Sequence, residues 1–182
     1  MFEIRIEPIT ESDIPYKVKW YNDEVITRYL HYEETFTIEK SLEWLKKIRQ
    51  DPSRYENVIK VRVNDSFLSI GIIGLFNIDL KHKKAGFYIT IGEQQFQGKG
   101  IAKKATVMFL RHCFEKFDLQ KIYLYTDLEN ITAQKLYERV GFKREGILRR
   151  ELFVKGRFID RCYYGMLREE FFSLYDSHGE HP

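Results

Sequence analysis

Gln97-Gly98-Lys99-Gly100-Ile101-Ala102 stands between a strand-patterned run, 85–91, and a stretch in which Ile101, Ala105, Met108, Phe109 and Cys113 draw one apolar helical face. Glycines at the entrance of a helix leave successive backbone N–H groups free to converge on one anion and let that anion approach the main chain closely. The helix dipole favours negative charge there, and Lys99, Lys103 and Lys104 add positive charge nearby. The spacing G-x-x-x-x-G-K-[ST] of a triphosphate-binding loop is absent, and so is a full dinucleotide fingerprint. A glycine loop that only turns the chain has the same local look, so a second segment must decide.

That segment is Leu128-Glu129-Asn130-Ile131-Thr132-Ala133-Gln134-Lys135-Leu136-Tyr137-Glu138-Arg139-Val140-Gly141-Phe142, directly after the apolar, β-prone run 122–126. Asn130 has helix-cap chemistry, Ala133, Leu136, Tyr137 and Val140 share a side, and Gly141 suits a C-cap. Upstream, Phe2, Ile4 and Ile6 alternate with charges as a strand closed by Pro8, and 10–13 begins a short helix ahead of Val18, Trp20 and Tyr21. Asn22-Asp23 offers a stop or a new cap. Thr37 caps a second helix in which Ile38, Leu42, Leu45 and Ile48 recur, ending near Asp51-Pro52. Runs 58–63 and 67–78 form a hairpin around Asn64-Asp65-Ser66, 81–84 turns into 85–91, and a last hairpin spans about 147–167 around Lys155-Gly156. A short helix and a polar tail, 176–182, expected to be mobile, follow. The order is strand, two helices, three strands, helix, strand, helix, hairpin: a mixed α/β (α+β) chain on one twisted sheet.

Together the two quoted segments resemble the GNAT acetyltransferase superfamily. The first matches its [QR]-x-x-G-x-[GA] pyrophosphate turn and the second its N-x-x-A-x-x-x-Y, G-F signature. The likeness runs from about residue 3 to residue 170, and Glu145-Gly146, Leu152-Phe153, Gly156-Arg157 and Asp160 look like the branch holding ribosomal-protein N-terminal and spermidine acetyltransferases. The resemblance implies one GNAT-like domain over 3–170, with 171–182 as helix end and tail. Its central, mostly antiparallel sheet would have about seven strands, splayed between the fourth and fifth, with about four helices flanking it.

It also implies acetyl-CoA as cosubstrate. Ile89, Thr90 and Ile91 would pair with the pantetheine arm, Gln97, Gly98, Lys99, Gly100, Ile101 and Ala102 would hold the pyrophosphate, and Asn130 would touch the arm from the opposite side while also capping its helix. Tyr137 falls where the family places a phenol near the cofactor's sulfur, its alternative being an ordinary aromatic on a buried helical face. An alkyl ammonium with a pKa of about 10.4 must lose a proton before it attacks a carbonyl. The neutral amine then adds directly to the thioester, a backbone N–H near 89–91 stabilises the oxyanion, and Tyr137 protonates the departing thiolate. The base is open. Related enzymes often carry a carboxylate on the fourth strand, where this chain has Gly86, Tyr88 and Thr90 on one face; Glu33, Glu34, Asp79 and Glu93 acting through water, or His31 and His82, are the candidates.

The acceptor side should be bounded by the linker after the first helix and by the final hairpin. Tyr32, Glu33 and Glu34 in that linker, with Trp20, Tyr29 and Phe36, would suit a small cation such as a polyamine through charge and cation–π attraction. A protein N-terminus and an amino sugar or aminoglycoside are the other acceptors left open, and a sensor that binds acetyl-CoA without turnover is the non-enzyme reading.

The bulk numbers fit. A chain of 182 residues, 43% hydrophobic and 31% charged, suits one globular domain. A net charge of +3 without a long basic run argues against nucleic acid. No run approaches the roughly 20 apolar residues that span a bilayer, so the cytoplasm is expected and a membrane is not. Cys113 and Cys162 lie outside any metal or redox spacing, are read as buried thiols, and no histidine pair has metal-ligand spacing. No serine sits in G-x-S-x-G. An exposed edge strand or the final hairpin is a possible homodimer surface.

Overall fold

A computed structural model describes residues 2–176, so the polar tail beyond 176 lies outside the described residues. The seven strands are β1 (Ile4–Pro8), β2 (Tyr55–Val63), β3 (Ser66–Asp79), β4 (Lys84–Ile91), β5 (Lys121–Asp127), β6 (Lys143–Val154) and β7 (Arg157–Leu167). They form one sheet in the order β1-β2-β3-β4-β5-β7-β6. Every neighbouring pair is antiparallel except β4 with β5, which run parallel.

Among the described residues six α-helices flank this sheet, against the four expected: α1 (Ile14–Tyr21), α2 (Glu24–Thr27), α3 (Ile38–Ile48), α4 (Ile101–Lys116), α5 (Ile131–Val140) and α6 (Arg168–Asp176). The single turn α2 exists because Asp23 acts as a new cap, its carboxylate accepting from the Val25 amide at 2.9 Å. Thr37 caps α3 and Asn130 caps α5 as their side chains predict. None of the described helices is long and apolar enough to cross a membrane.

The helices divide between two faces. Against α4, α5 and α6 the sheet presents Ile59, Ile73, Leu75, Phe87, Leu124 and Tyr164, with both free cysteines buried. Against α1 and α3 it presents a smaller cluster around Ile72, with Trp20, Tyr21 and Leu45. Two strands begin earlier than their apolar patterns suggest. β6 starts at Lys143 because Lys143-Arg144-Glu145-Gly146 is held by pairing with β7 and by a 2.6 Å ion pair from Lys121 to Glu145, not by alternation. β2 starts at Tyr55, taking Glu56 and Asn57 into the sheet opposite Gly74 and Ile73.

β4 and β5 pair over only three residues, Lys84 with Lys121, Ala85 with Ile122 and Gly86 with Tyr123, and then part. Gly86, the last paired residue of β4, lies under the Phe76 ring, which a β-carbon there would meet at 2.3 Å. Phe76 also contacts Tyr123 edge-on, with centroids 6.0 Å apart. One aromatic ring thus fills the space over the point where the strands diverge. Gly86→Ala overpacks this point and should cost about 1–3 kcal/mol in a urea titration; Phe76→Leu combined with it should recover part of the loss.

Candidate active site

Beyond Gly86 and Tyr123 no ladder joins β4 to β5, and the edges of Phe87–Ile91 and Leu124–Asp127 face a wedge-shaped slot. Ile89, Thr90 and Ile91 line its β4 side. On the far face Tyr137 of α5 closes the slot from behind. Its ring is buried among Phe87, at 6.5 Å and edge-on, Phe142 at 5.9 Å and Tyr164 at 6.3 Å. Burial pushes its phenol up to about 12, with Arg161 pulling weakly the other way. Such a phenol keeps its proton through neutral pH and is suited to giving it away to a strong base.

At the open end of β4, Gly98 and Gly100 adopt left-handed backbone angles of +72° and +78°, and no atom lies within 4 Å of a β-carbon built on either. The amide of Lys104 bonds to the Gly100 carbonyl as the first intrahelical bond of α4. Ahead of it the amides of Ile101, Ala102 and Lys103 precede the helical ladder, which makes an anion seat. Gln97 has a different part in the turn: its amide bonds to Gln94 and its side chain donates to the Ile91 carbonyl at 2.9 Å, tying the end of β4 to the loop. Lys99 turns its ammonium toward the rings of Phe2 and Phe96, at 5.9 and 5.7 Å. The Asn130 side-chain oxygen is used on the Ala133 amide at 3.1 Å, the capping role.

The opposite face carries a cavity of about 480 Å³ whose walls include Lys17, Tyr21, Tyr32, Phe36, Trp44 and Tyr88. Of the expected acceptor residues Tyr32 is brought into it, its ring tilted against Tyr21 with centroids 5.3 Å apart. Glu34 reaches its rim, 81% exposed and 3.7 Å from Lys40. Glu33 is exposed and does not line it. The carboxylate at the base of this region is one that the sequence pattern hid. Glu56 of β2 is 2% exposed, pairs with Arg54 through one oxygen, and buries the other with no hydrogen-bond partner. Burial raises its carboxyl, while Arg54 and Lys17 oppose that rise. A glutamate two residues before a strand-patterned run looks like a loop residue; only its pairing with Gly74 turns it inward.

Lys17 is the other unforeseen resident. Its ammonium stands 4.4 Å from the Tyr21 ring centre, 4.6 Å from Phe36 and 4.3 Å from Trp44, and the residue is 4% exposed. Three π faces therefore surround a cation supplied by the protein itself. Desolvation lowers this amine to about 8, Glu56 holding it up in part.

The residues considered as bases fare differently. Asp79 is bound to His82 at 2.8 Å on the exposed β3–β4 turn, and Glu93 accepts from Lys19 at 2.6 Å and from the Trp20 indole at 2.9 Å. His31, by contrast, reaches across the mouth of the slot to Asp127 at the end of β5, 2.5 Å away. Among the described residues no group of three or more metal-binding side chains occurs.

The profile of the Acetyltransferase (GNAT) domain matches residues 3–143. An uncharacterized, SPbeta prophage-derived N-acetyltransferase of Bacillus subtilis is 33% identical over 130 residues, covering 71% of this chain and 70% of that protein. A spermidine N(1)-acetyltransferase of Escherichia coli K12 is 25% identical over 97% of this chain and 92% of its own length. The crystal structure of spermidine N-acetyltransferase from Vibrio cholerae in complex with CoA and spermine superposes with a TM-score of 0.85 at 28% identity, over 93% of this chain and 98% of that one.

Lys17 gives this site a pH signature. Its folded value lies below its unfolded 10.5, so the charged ammonium is a cost to the folded state that is fully present below pH 8. Between about 8 and 10.5 the unfolded chain holds the extra proton, and stability rises with pH there. Lys17→Met should therefore be the more stable protein at pH 7 in denaturant titrations, with an advantage that shrinks across that window; a pH-independent difference would assign the effect to packing alone.

Proposed function

The chain belongs to the GNAT family of acetyl-CoA-dependent N-acetyltransferases, and from that premise we propose that acetyl-CoA lies in the β4–β5 slot and that the acetyl group passes directly to an aliphatic primary amine, a polyamine in preference to other acceptors. The observation that carries this reading is the slot itself. Two parallel strands part after three residues and leave peptide edges that an amide-bearing pantetheine arm can pair with. The turn at Gly98 and Gly100, with Lys99 and the first amides of Ile101 and Ala102, fits a diphosphate at the slot's open end. Gln97 braces that turn, and Asn130 holds the start of α5 against the opposite strand.

On this reading Ile89, Thr90 and Ile91 align the arm, and a β4 amide supplies fixed positive charge where the carbonyl oxygen becomes anionic. Tyr137, kept protonated by burial, gives its proton to the leaving sulfur. Direct attack accords with the cysteines, which are buried, Cys113 being strongly desolvated.

For the acceptor, the support is an aromatic-walled cavity that already shelters one alkylammonium, with the buried Glu56 carboxylate near it. The Escherichia and Vibrio relatives named for spermidine add to it. Lys17 and Arg54 stand inside, whereas Glu33 and Glu34 lie on the exposed linker. A polyamine would therefore turn its reacting end, which must lose its proton there, to the interior and leave its remaining cationic chain toward Glu34 on the rim.

Release of free CoA thiol should be fastest with spermidine when that amine is compared with a peptide bearing a free N-terminus and with an amino sugar. Preference for either of the others overturns the acceptor while leaving the transfer intact. Tyr137→Phe should lower kcat by about a hundredfold or more, with acetyl-CoA affinity in calorimetry nearly unchanged; an unaltered kcat removes Tyr137 from the reaction.

A further inference from the structure

The ammonium of the acceptor still lacks a group to take its proton, because the face of β4 that carries Tyr88 and Thr90 has Gly86, covered by Phe76, where a carboxylate would stand. We propose that His31 is that base and that Asp127 is the positioning residue that orients it, an inference that rests on the acetyl-transfer reading above. Asp127 ends β5 on the same side as Tyr123 and Tyr125, the side of Phe76 and the acceptor cavity. It lies four residues beyond the last paired residue, Tyr123, as Thr90 lies four beyond Gly86, so the two stand level across the slot.

Asp127 is held from every direction. Its carbonyl accepts from the Asn130 amide at 3.0 Å and from the Gln134 side chain at 3.3 Å, and the next amide, Leu128, donates to the Asp160 carbonyl at 2.9 Å. Its side chain is 4% exposed, with Oδ2 on His31 Nε2 and Oδ1 3.7 Å from Arg161 Nε, which β7 places directly opposite. Neither Oδ1 nor that Nε completes a hydrogen bond. His31 is delivered by the linker with a left-handed backbone, φ +56°, and its side chain is 12% exposed. A carboxylate can only accept, so Nε2 carries the hydrogen, and in the neutral imidazole the lone pair is then on Nδ1. The charged groups bearing on the imidazole are Asp127 from β5 and, behind it, Arg161 from β7, which also covers Tyr125.

The proton balance closes with these groups. His31 Nδ1 takes one proton from the ammonium and later releases it to solvent. The neutral nitrogen bonds to the thioester carbonyl carbon, the C–S bond breaks with its electron pair on sulfur, and Tyr137 protonates the thiolate. The proton then shed by the acylated nitrogen restores the phenol. The net products are the amide, CoA thiol and one proton.

The alternative for the same contact is a tie that only fastens the linker, and pH profiles separate the two. His31→Gln should lower kcat/KM for spermidine by about a hundredfold or more and abolish the acidic limb of its pH profile, with acetyl-CoA affinity in calorimetry unchanged. The loss should largely vanish for an acceptor whose amine is already neutral at the assay pH, since that amine needs no base. Asp127→Asn should lose the same limb. Equal losses for basic and non-basic amines, or an unchanged profile in His31→Gln, overturn the proposal. A wild-type enzyme that turns over no amine would instead sink the transfer reading, and the dyad's role with it.

Discussion

Everything in this molecule follows from two parallel strands that stop pairing. Three registered residues join β4 to β5, and beyond them each strand has peptide groups facing its neighbour without reaching it. Such groups cannot be left dry without cost, so a sheet that opens in this way needs a partner with amide groups of its own, or water, in the gap. The aromatic wedge of Phe76 over Gly86 on one side and the Phe87, Phe142 and Tyr164 cluster around Tyr137 on the other keep the strands apart. The slot is a product of core packing, and the chemistry is laid along its edges.

The two faces of the sheet then take separate tasks. The side of α4 and α5 contributes an anion seat and a phenol whose proton burial retains. The side of α1 and α3 carries an aromatic cavity that Lys17 helps to wall, the buried Glu56 carboxylate and, at the end of β5, the His31–Asp127 pair. Charge is handled differently on each. Backbone dipoles dominate the first, whereas the second mixes buried ions of both signs, Glu56 paired with the half-buried Arg54 and Lys17 among rings. Buried charge of that kind is retained at a cost in stability, which points to selection for what the cavity admits rather than for firmness of the fold.

The slot side was legible in the sequence because its signals are local. Glycines before a helix, an asparagine at a cap and a tyrosine seven residues on each act within one or two turns of chain, and elements 101–116 and 131–140 appear where their patterns put them. The acceptor side was much less so. Glu56 precedes the apolar alternation of its strand and is turned inward only by β3; Lys17 looks like a solvated lysine on a short helix until Phe36 from the linker and Trp44 from α3 close over it. Glu33 and Glu34, prominent in sequence, remain outside because adjacent charges on a linker gain more from water. His31 and Asp127 are 96 residues apart, a meeting that only the tertiary fold makes visible.

The outer borders of the sheet carry a last lesson. β6, at one border, is broken in register near Arg144–Gly146 and again near Leu148–Leu152, where Arg150 is forced to a positive φ among charged neighbours. β1, at the other, is five residues long, alternates charge and closes on a proline. Neither offers the long, flat, regularly spaced template along which a foreign strand could align. A protein whose working centre depends on an opened sheet is thereby spared fibrillar growth from its margins.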